Sequence, residues 1–145
     1  MKRVIQEDST GCSLACIAMI VGTRYKTIKK QAHELLHGWP SGSRSVYTEA
    51  AHLKTLLKAH IIEYGNCRRA DNWLQIKAKL AIAAINLQKN GNWHWVVFKQ
   101  QANDAYLLDP RSKQEKRRDF GRAKLHAYLP IRLTEHIDVL IHKKP

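Results

Sequence analysis

The chain has 145 residues and a formal net charge of +13 at pH 7, from 25 Lys and Arg against 12 Asp and Glu. This length predicts one domain, residues 1–145, with a core of its own. No stretch reaches the roughly 18 unbroken apolar residues of a membrane span, and the N-terminus lacks the apolar core of a signal peptide. We therefore expect a cytoplasmic protein, unless a separate secretion system delivers it.

The N-terminal third of the chain predicts helices. Residues 12–21 are almost all apolar, which predicts a buried helix that Gly22 ends. The segment "TIKKQAHELLHG" predicts an amphipathic helix that ends at Gly38, and Ser45 is expected to cap a third helix that runs to residue 59. The apolar positions of the second helix are Ile28, Ala32, Leu35 and Leu36, and those of the third are Val46, Ala50, Leu53 and Leu57.

The rest of the chain predicts mainly strands. Residues 60–64 are expected to form a short strand, and Asp71 or Asn72 is expected to cap a short helix that runs to Lys79. Strands are then predicted at 80–88, 94–100 and 104–110, with a hairpin connection at 101–105, and one more strand each at 129–133 and 136–143. Helices followed by strands predict an α+β fold, with an antiparallel sheet packed on the N-terminal helices.

The basic residues are spread along the chain, with the densest run at "RSKQEKRRDFGRAK", residues 111–124. Such a charge suits an acidic protein partner, an anionic membrane surface or nucleic acid. The run contains only one aromatic residue, Phe120, and no nucleic-acid-binding motif, so a nucleic-acid function is not favoured. The oligomeric state stays open.

Three cysteines, an odd number, favour reduced thiols in this chain. Cys12 falls at the start of the first predicted helix, where the helix dipole and the unpaired amide groups favour a thiolate. Cys16 lies one turn deeper and is expected to be a small buried side chain. Cys12 and Cys16 have no further soft ligands at metal-binding spacing, so neither a metal nor another cofactor is predicted.

A cysteine nucleophile needs a base and an oxyanion donor. Among eight histidines, His94 differs because it opens a predicted strand between two tryptophans. Asp109 ends the next predicted strand, and a hairpin would bring it beside His94, where it could orient the imidazole. The amide of Gln6 could bind an oxyanion together with the N–H of Cys12. Taken singly, each residue also suits an ordinary structural role.

The order Gln, Cys, His, Asp resembles that of papain-like cysteine peptidases, and more specifically of the bacteriocin-processing, double-glycine leader peptidases. The segment "QEDSTGCSLACIAMI" is similar to the first motif of that family, and "HWVVFKQ…AYLLDP" is similar to the later one. The resemblance covers residues 3–130. It implies a papain-like fold, with Cys12 as nucleophile, His94 as base, Asp109 as orienting residue and Gln6 in the oxyanion hole.

Two positions depart from the family pattern, since Gly11 replaces the usual Asp and Ser13 the usual Gly. The chain also has no phosphate-binding motif of a transporter. Three functions stay open: a peptidase acting on a peptide or protein, to which the net charge could steer an acidic substrate, a deamidase or isopeptidase effector with the same thiol, and a non-catalytic basic binding domain. The peptidase interpretation predicts roughly 3–4.5 Å between the Cys12 sulfur and a His94 ring nitrogen.

Overall fold

The computed structural model describes residues 1–37, 39 and 49–132. In this part of the chain, three helices precede a five-stranded antiparallel sheet with the strand order β1-β5-β2-β3-β4. The predicted α+β class is confirmed, and the arrangement is consistent with a papain-like fold. The elements are α1 (Cys12–Val21), α2 (Tyr25–Leu35), α3 (Ala50–Ala59), β1 (Arg68–Arg69), β2 (Leu80–Ile85), β3 (His94–Gln101), β4 (Asp104–Leu108) and β5 (Leu125–Pro130).

Helix α1 has the predicted bounds and lies in the centre of the core. All its residues from 12 to 20 are buried, because α2, α3 and β3 pack around it. Gly22 ends the helix with a φ of 82°, a left-handed conformation that glycine adopts readily, and its N–H donates to the carbonyl of Ala18. The nearly continuous apolar sequence of α1 therefore reflects burial on all sides.

The sheet is covered on both faces, which explains why the six residues of β2 are all buried. The helices cover one face, and the segments that connect the strands cover the other. On this second face the ring of Trp73 packs on Phe98 at 5.7 Å and on Phe120 at 5.2 Å, measured between ring centroids. A strand buried on both faces has no polar alternation, as the run "LAIAAI" shows.

The second and third helices differ in part from the prediction. Helix α2 ends at Leu35, and this side chain is exposed, whereas Leu36 turns into the core. Helix α3 starts at Ala50, where the N–H of Glu49 donates to Nδ1 of His52. Some predicted features lie outside the described residues, namely the Gly38 helix end, the Ser45 cap with Val46, and the strand at 136–143.

Three predictions in the second half differ from the structure in existence, length or position. Residues 60–64 form no strand: Ile61 has a φ of 58°, and only Tyr64 makes a single bridge, to Ile131. The helix predicted up to residue 79 is one 3-10 turn, Trp73–Gln75. It is capped by Asn72, whose side chain accepts a hydrogen bond from the N–H of Leu74.

The last described strand of the sheet lies earlier than predicted. Strand β5 begins at 125 rather than 129, because it pairs with almost the whole length of β2. Strand β1, which was not predicted, pairs with β5.

Candidate active site

Cys12 is the first residue of α1, and its thiol lies against the start of β3. The backbone N–H of Trp95 donates to Sγ of Cys12 at 3.4 Å, although the two residues are 83 positions apart in the sequence. Strand β4 pairs with β3 only from Val97 onward, so this part of β3 is open toward the helix. The thiol therefore sits at the junction between the helical layer and the sheet.

His94 and Asp109 meet at the same end of the β3–β4 hairpin. The regular pairing of the two strands stops at Val97 and Leu108, so both side chains lie beyond the last pair. Nε2 of His94 is 2.7 Å from Oδ1 of Asp109. The hairpin thus brings this histidine and this aspartate together, as the sequence predicted, although they are not partners in the ladder.

The carboxylate of Asp109 is buried and surrounded by donors. Besides the bond with His94, its Oδ1 accepts a hydrogen bond from the backbone N–H of Arg111 at 2.9 Å. Its Oδ2 accepts a hydrogen bond from Nη1 of Arg117 at 2.7 Å. Burial raises the pKa of Asp109, but the hydrogen bonds from His94, Arg111 and Arg117 outweigh burial and lower this pKa to about 2. The side chain is therefore a carboxylate at neutral pH.

The imidazole of His94 has a strongly shifted acid–base equilibrium. Burial lowers the pKa of His94, but the hydrogen bond to Asp109 and the nearby thiol of Cys12 outweigh burial and raise this pKa to about 9. The other ring nitrogen, Nδ1, is buried and makes no hydrogen bond of good geometry within the described part of the chain. An imidazolium at neutral pH is the partner that a cysteine thiolate requires.

Gln6 lies close in sequence to Cys12, but its amide is used differently from the prediction. Its Nε2 donates to the backbone carbonyls of Asp8 at 2.8 Å and Ser9 at 2.9 Å. Its own N–H donates to the carbonyl of Pro110. In this conformation the side chain of Gln6 stabilises the loop before α1, and its backbone connects this loop to the segment after Asp109. Both hydrogens of the side-chain amide are used in the loop, so neither is available to an oxyanion.

A surface pocket of about 350 Å³ opens at these side chains. It contains Cys12, His94 and Asp109 together, and Gln6 is not among its lining residues. Two arginines and several amides form its walls. The remaining lining residues are Thr10, Asn86, Gln88, Asn92, Trp93, Arg111 and Arg117.

The two departures from the family pattern have different surroundings. A Cβ at Gly11 would lie 1.8 Å from the hydroxyl of Tyr25, and this hydroxyl donates to Asp8 at 2.7 Å. The Tyr25 ring thus occupies the space that a side chain at position 11 would need. Ser13 is fully buried, and its hydroxyl has no hydrogen-bond partner within the described residues.

The sequence reasoning missed several groups that contact the candidate residues, among them Arg117 and two backbone N–H groups, those of Trp95 and Arg111. Arg117 lies in the basic run, where nothing in the sequence distinguishes it from its neighbours. The N–H of Trp95 is a backbone group, and its direction depends on how the strands pair. Cys16, in contrast, is fully buried as expected, and burial raises the pKa of its thiol well above the usual value.

A comparison with models of protein families identifies the family of this chain. A family model described as the Peptidase C39 family matches residues 1–127. No match was found among curated proteins. Within the described residues, no helix is both long enough and apolar enough to cross a membrane. Since the match spans most of the chain, the protein is a thiol-dependent hydrolase that belongs to the Peptidase C39 family, the bacteriocin-processing cysteine peptidases.

Proposed function

We propose that this cysteine peptidase cleaves an amide bond of a peptide or protein with Cys12 as nucleophile, His94 as acid–base and Asp109 as the orienting residue. One observation carries the proposal: the thiol, the imidazole and the carboxylate line one pocket, although α1 and the β3–β4 hairpin are far apart in sequence. The His94–Asp109 distance of 2.7 Å supports the order of the three groups.

The first chemical step is attack of the Cys12 sulfur on the substrate carbonyl. Cys12 is the first residue of α1, and the N–H of Trp95 donates to its sulfur, which fixes the sulfur at the mouth of the pocket. His94, held as an imidazolium, gives its proton to the leaving amine, so that the C–N bond breaks and a thioester remains. Water then hydrolyses the thioester, which releases the carboxylic acid and returns the thiol.

The tetrahedral intermediate needs donors for its oxyanion. The N–H of Cys12 suits this role because the first amides of a helix lack partners within the helix. Gln6 is the second donor in our proposal. Because both its amide hydrogens bind the carbonyls of Asp8 and Ser9, one of these bonds has to open when substrate binds.

The charge around the pocket favours an acidic substrate. Arg111, whose side chain donates to the backbone carbonyl of Ser9, lines the pocket, and the whole chain carries a net charge of +13. Such a field raises the local concentration of a negatively charged peptide and accelerates its association.

The proposal is tested by incubating a degenerate peptide library with the wild-type protein and with Cys12→Ala, followed by mass spectrometry. We expect paired fragments that together gain one water, produced by the wild type alone. The same fragments from Cys12→Ala would contradict the role of Cys12. Intact wild-type products that are heavier by about one mass unit would instead indicate a deamidase, because the same thioester chemistry releases ammonia.

The non-catalytic basic binding domain that the sequence left open is supported by the net charge, but membership of a cysteine peptidase family argues against it. It predicts that an acidic peptide is retained equally by the wild type and by Cys12→Ala, without any cleavage. Charge reversal at exposed lysines of the basic run, such as Lys113→Glu with Lys116→Glu, would then abolish retention. Cleavage that depends on Cys12 excludes this candidate.

A further inference from the structure

We propose that Arg117 is a positioning residue of this site, which holds the Asp109 carboxylate in the orientation that faces His94. The inference rests on the proposed triad, since it assigns the group that fixes the third member. Arg117 does not need to touch the substrate for this role. It acts through Asp109.

The geometry around Asp109 carries the inference. Its Oδ1 is shared by His94 and by the N–H of Arg111, whereas its Oδ2 receives Arg117 at 2.7 Å. A carboxylate rotates about one bond, so a donor fixed at Oδ2 determines where Oδ1 points. Without Arg117, Oδ2 is left in a buried environment without its charged donor, and the carboxylate gains by turning toward solvent.

Arg117 is itself fixed from two sides. Its backbone pairs with Leu107 of β4 in both directions, at 2.8 and 2.9 Å. Its side chain makes two further bonds to the carboxylate of Asp119, at 2.9 and 3.1 Å, and only 14% of it is exposed. A guanidinium can bind two carboxylates at once because its donors point in fixed directions. The chain His94–Asp109–Arg117–Asp119 is therefore continuous from the site to the surface.

The next residue provides a matched control. Arg118 binds the carboxylate of Asp104 through two of its nitrogens, at 2.9 and 2.7 Å, but this pair is half exposed and lies away from the pocket. Arg117→Gln and Arg118→Gln each remove one positive charge. The first breaks the pairs with Asp109 and Asp119, and the second breaks the pair with Asp104. Only the first change reaches Asp109.

The readout is the rate at which iodoacetamide alkylates Cys12, measured from about pH 5 to pH 9 in a Cys67→Ser background. For Arg117→Gln we expect the rate near pH 6 to fall on the order of tenfold and to rise only at higher pH, because an Asp109 carboxylate that turns away no longer stabilises the imidazolium of His94. Arg117→Lys is expected to recover part of the rate, because lysine keeps the positive charge but lacks the N–H donors that a guanidinium holds in fixed directions. Arg118→Gln stays within about twofold of the parent.

Asp119→Asn is the second variant, because it loosens Arg117 from a half-exposed position and leaves the core intact. We expect a smaller fall in the same direction, with the matching change Asp104→Asn neutral. Profiles of Arg117→Gln and Arg118→Gln that coincide would overturn the inference while leaving the triad in place. A parent protein without any enhanced Cys12 reactivity near pH 6 would instead remove the proposed function itself.

Discussion

Gly11, where the resemblance led us to expect an aspartate, lies against the ring of Tyr25. The hydroxyl of Tyr25 lies where a Cβ of residue 11 would be, 1.8 Å away, and the ring carbon Cζ lies at 2.8 Å. The carboxylate of Asp8 accepts a hydrogen bond from this hydroxyl, and its Oδ2 lies 3.0 Å from Nζ of Lys29. An acidic side chain is thus present near the start of α1, but on Asp8 instead of residue 11.

This contact makes Gly11→Ala a test of the local packing. The new methyl group has to displace a tyrosine that is only 3% exposed, so we expect the free energy of unfolding to fall by about 1–3 kcal/mol. Urea denaturation followed by tryptophan fluorescence measures this change. Adding Tyr25→Phe removes the nearest atom and should restore part of the loss, whereas an additive double mutant would contradict the contact.

At the scale of single residues, the sequence predicted the thiol, the imidazole and the carboxylate, because each stands at the start or end of an element. It could not identify Arg117, since a partly buried arginine in a basic run has the same sequence pattern as an exposed one. It also could not predict that the Gln6 amide donates to two loop carbonyls, because that depends on the path of five loop residues.

At the scale of elements, the β3–β4 hairpin carries most of the site. It presents His94 at its first residue and Asp109 just after its last, so the stability of the hairpin and the geometry of the pair are linked. Its turn has two residues between Gln101 and Asp104. The first of them, Ala102, has a φ of 52°, a conformation that glycine adopts at lower cost.

We therefore expect Ala102→Gly to stabilise the protein by about 1 kcal/mol. Differential scanning calorimetry should show a melting temperature higher by about 3 °C. Ala105→Gly, three residues later within β4, is the control and is expected to lower the melting temperature, because glycine weakens a strand interior. A decrease for both variants would contradict the strained turn.

The strands of this hairpin were predictable because alternating and β-branched segments are bounded by clear turn residues. The segment 60–64 misled the prediction for a local reason. Its apolar residues suit a strand, but the backbone turns at Ile61, whose side chain is 86% exposed. Whether a residue of this segment pairs in the sheet depends on strand β5, which lies more than sixty residues later in the chain. The local sequence therefore could not predict the pairing.

At the scale of the whole molecule, the account depends on a contact between its two layers. Helix α1 supplies the thiol, and the sheet supplies the imidazole and the carboxylate. No local sequence pattern encodes this meeting. The resemblance to a family predicted it, and in the structure the N–H of Trp95 donates to Sγ of Cys12.

The central claim is that His94 keeps Cys12 reactive, and the pH dependence of Cys12 alkylation tests it most directly. The pKa of His94 is raised to about 9, so the imidazolium persists from low pH up to about pH 9 and is lost above it. In a Cys67→Ser background, iodoacetamide should label Cys12 near pH 6 at least tenfold faster than in the same protein with His94→Gln. Equal rates in the two proteins, or labelling of Cys12 only at high pH in both, would contradict the account.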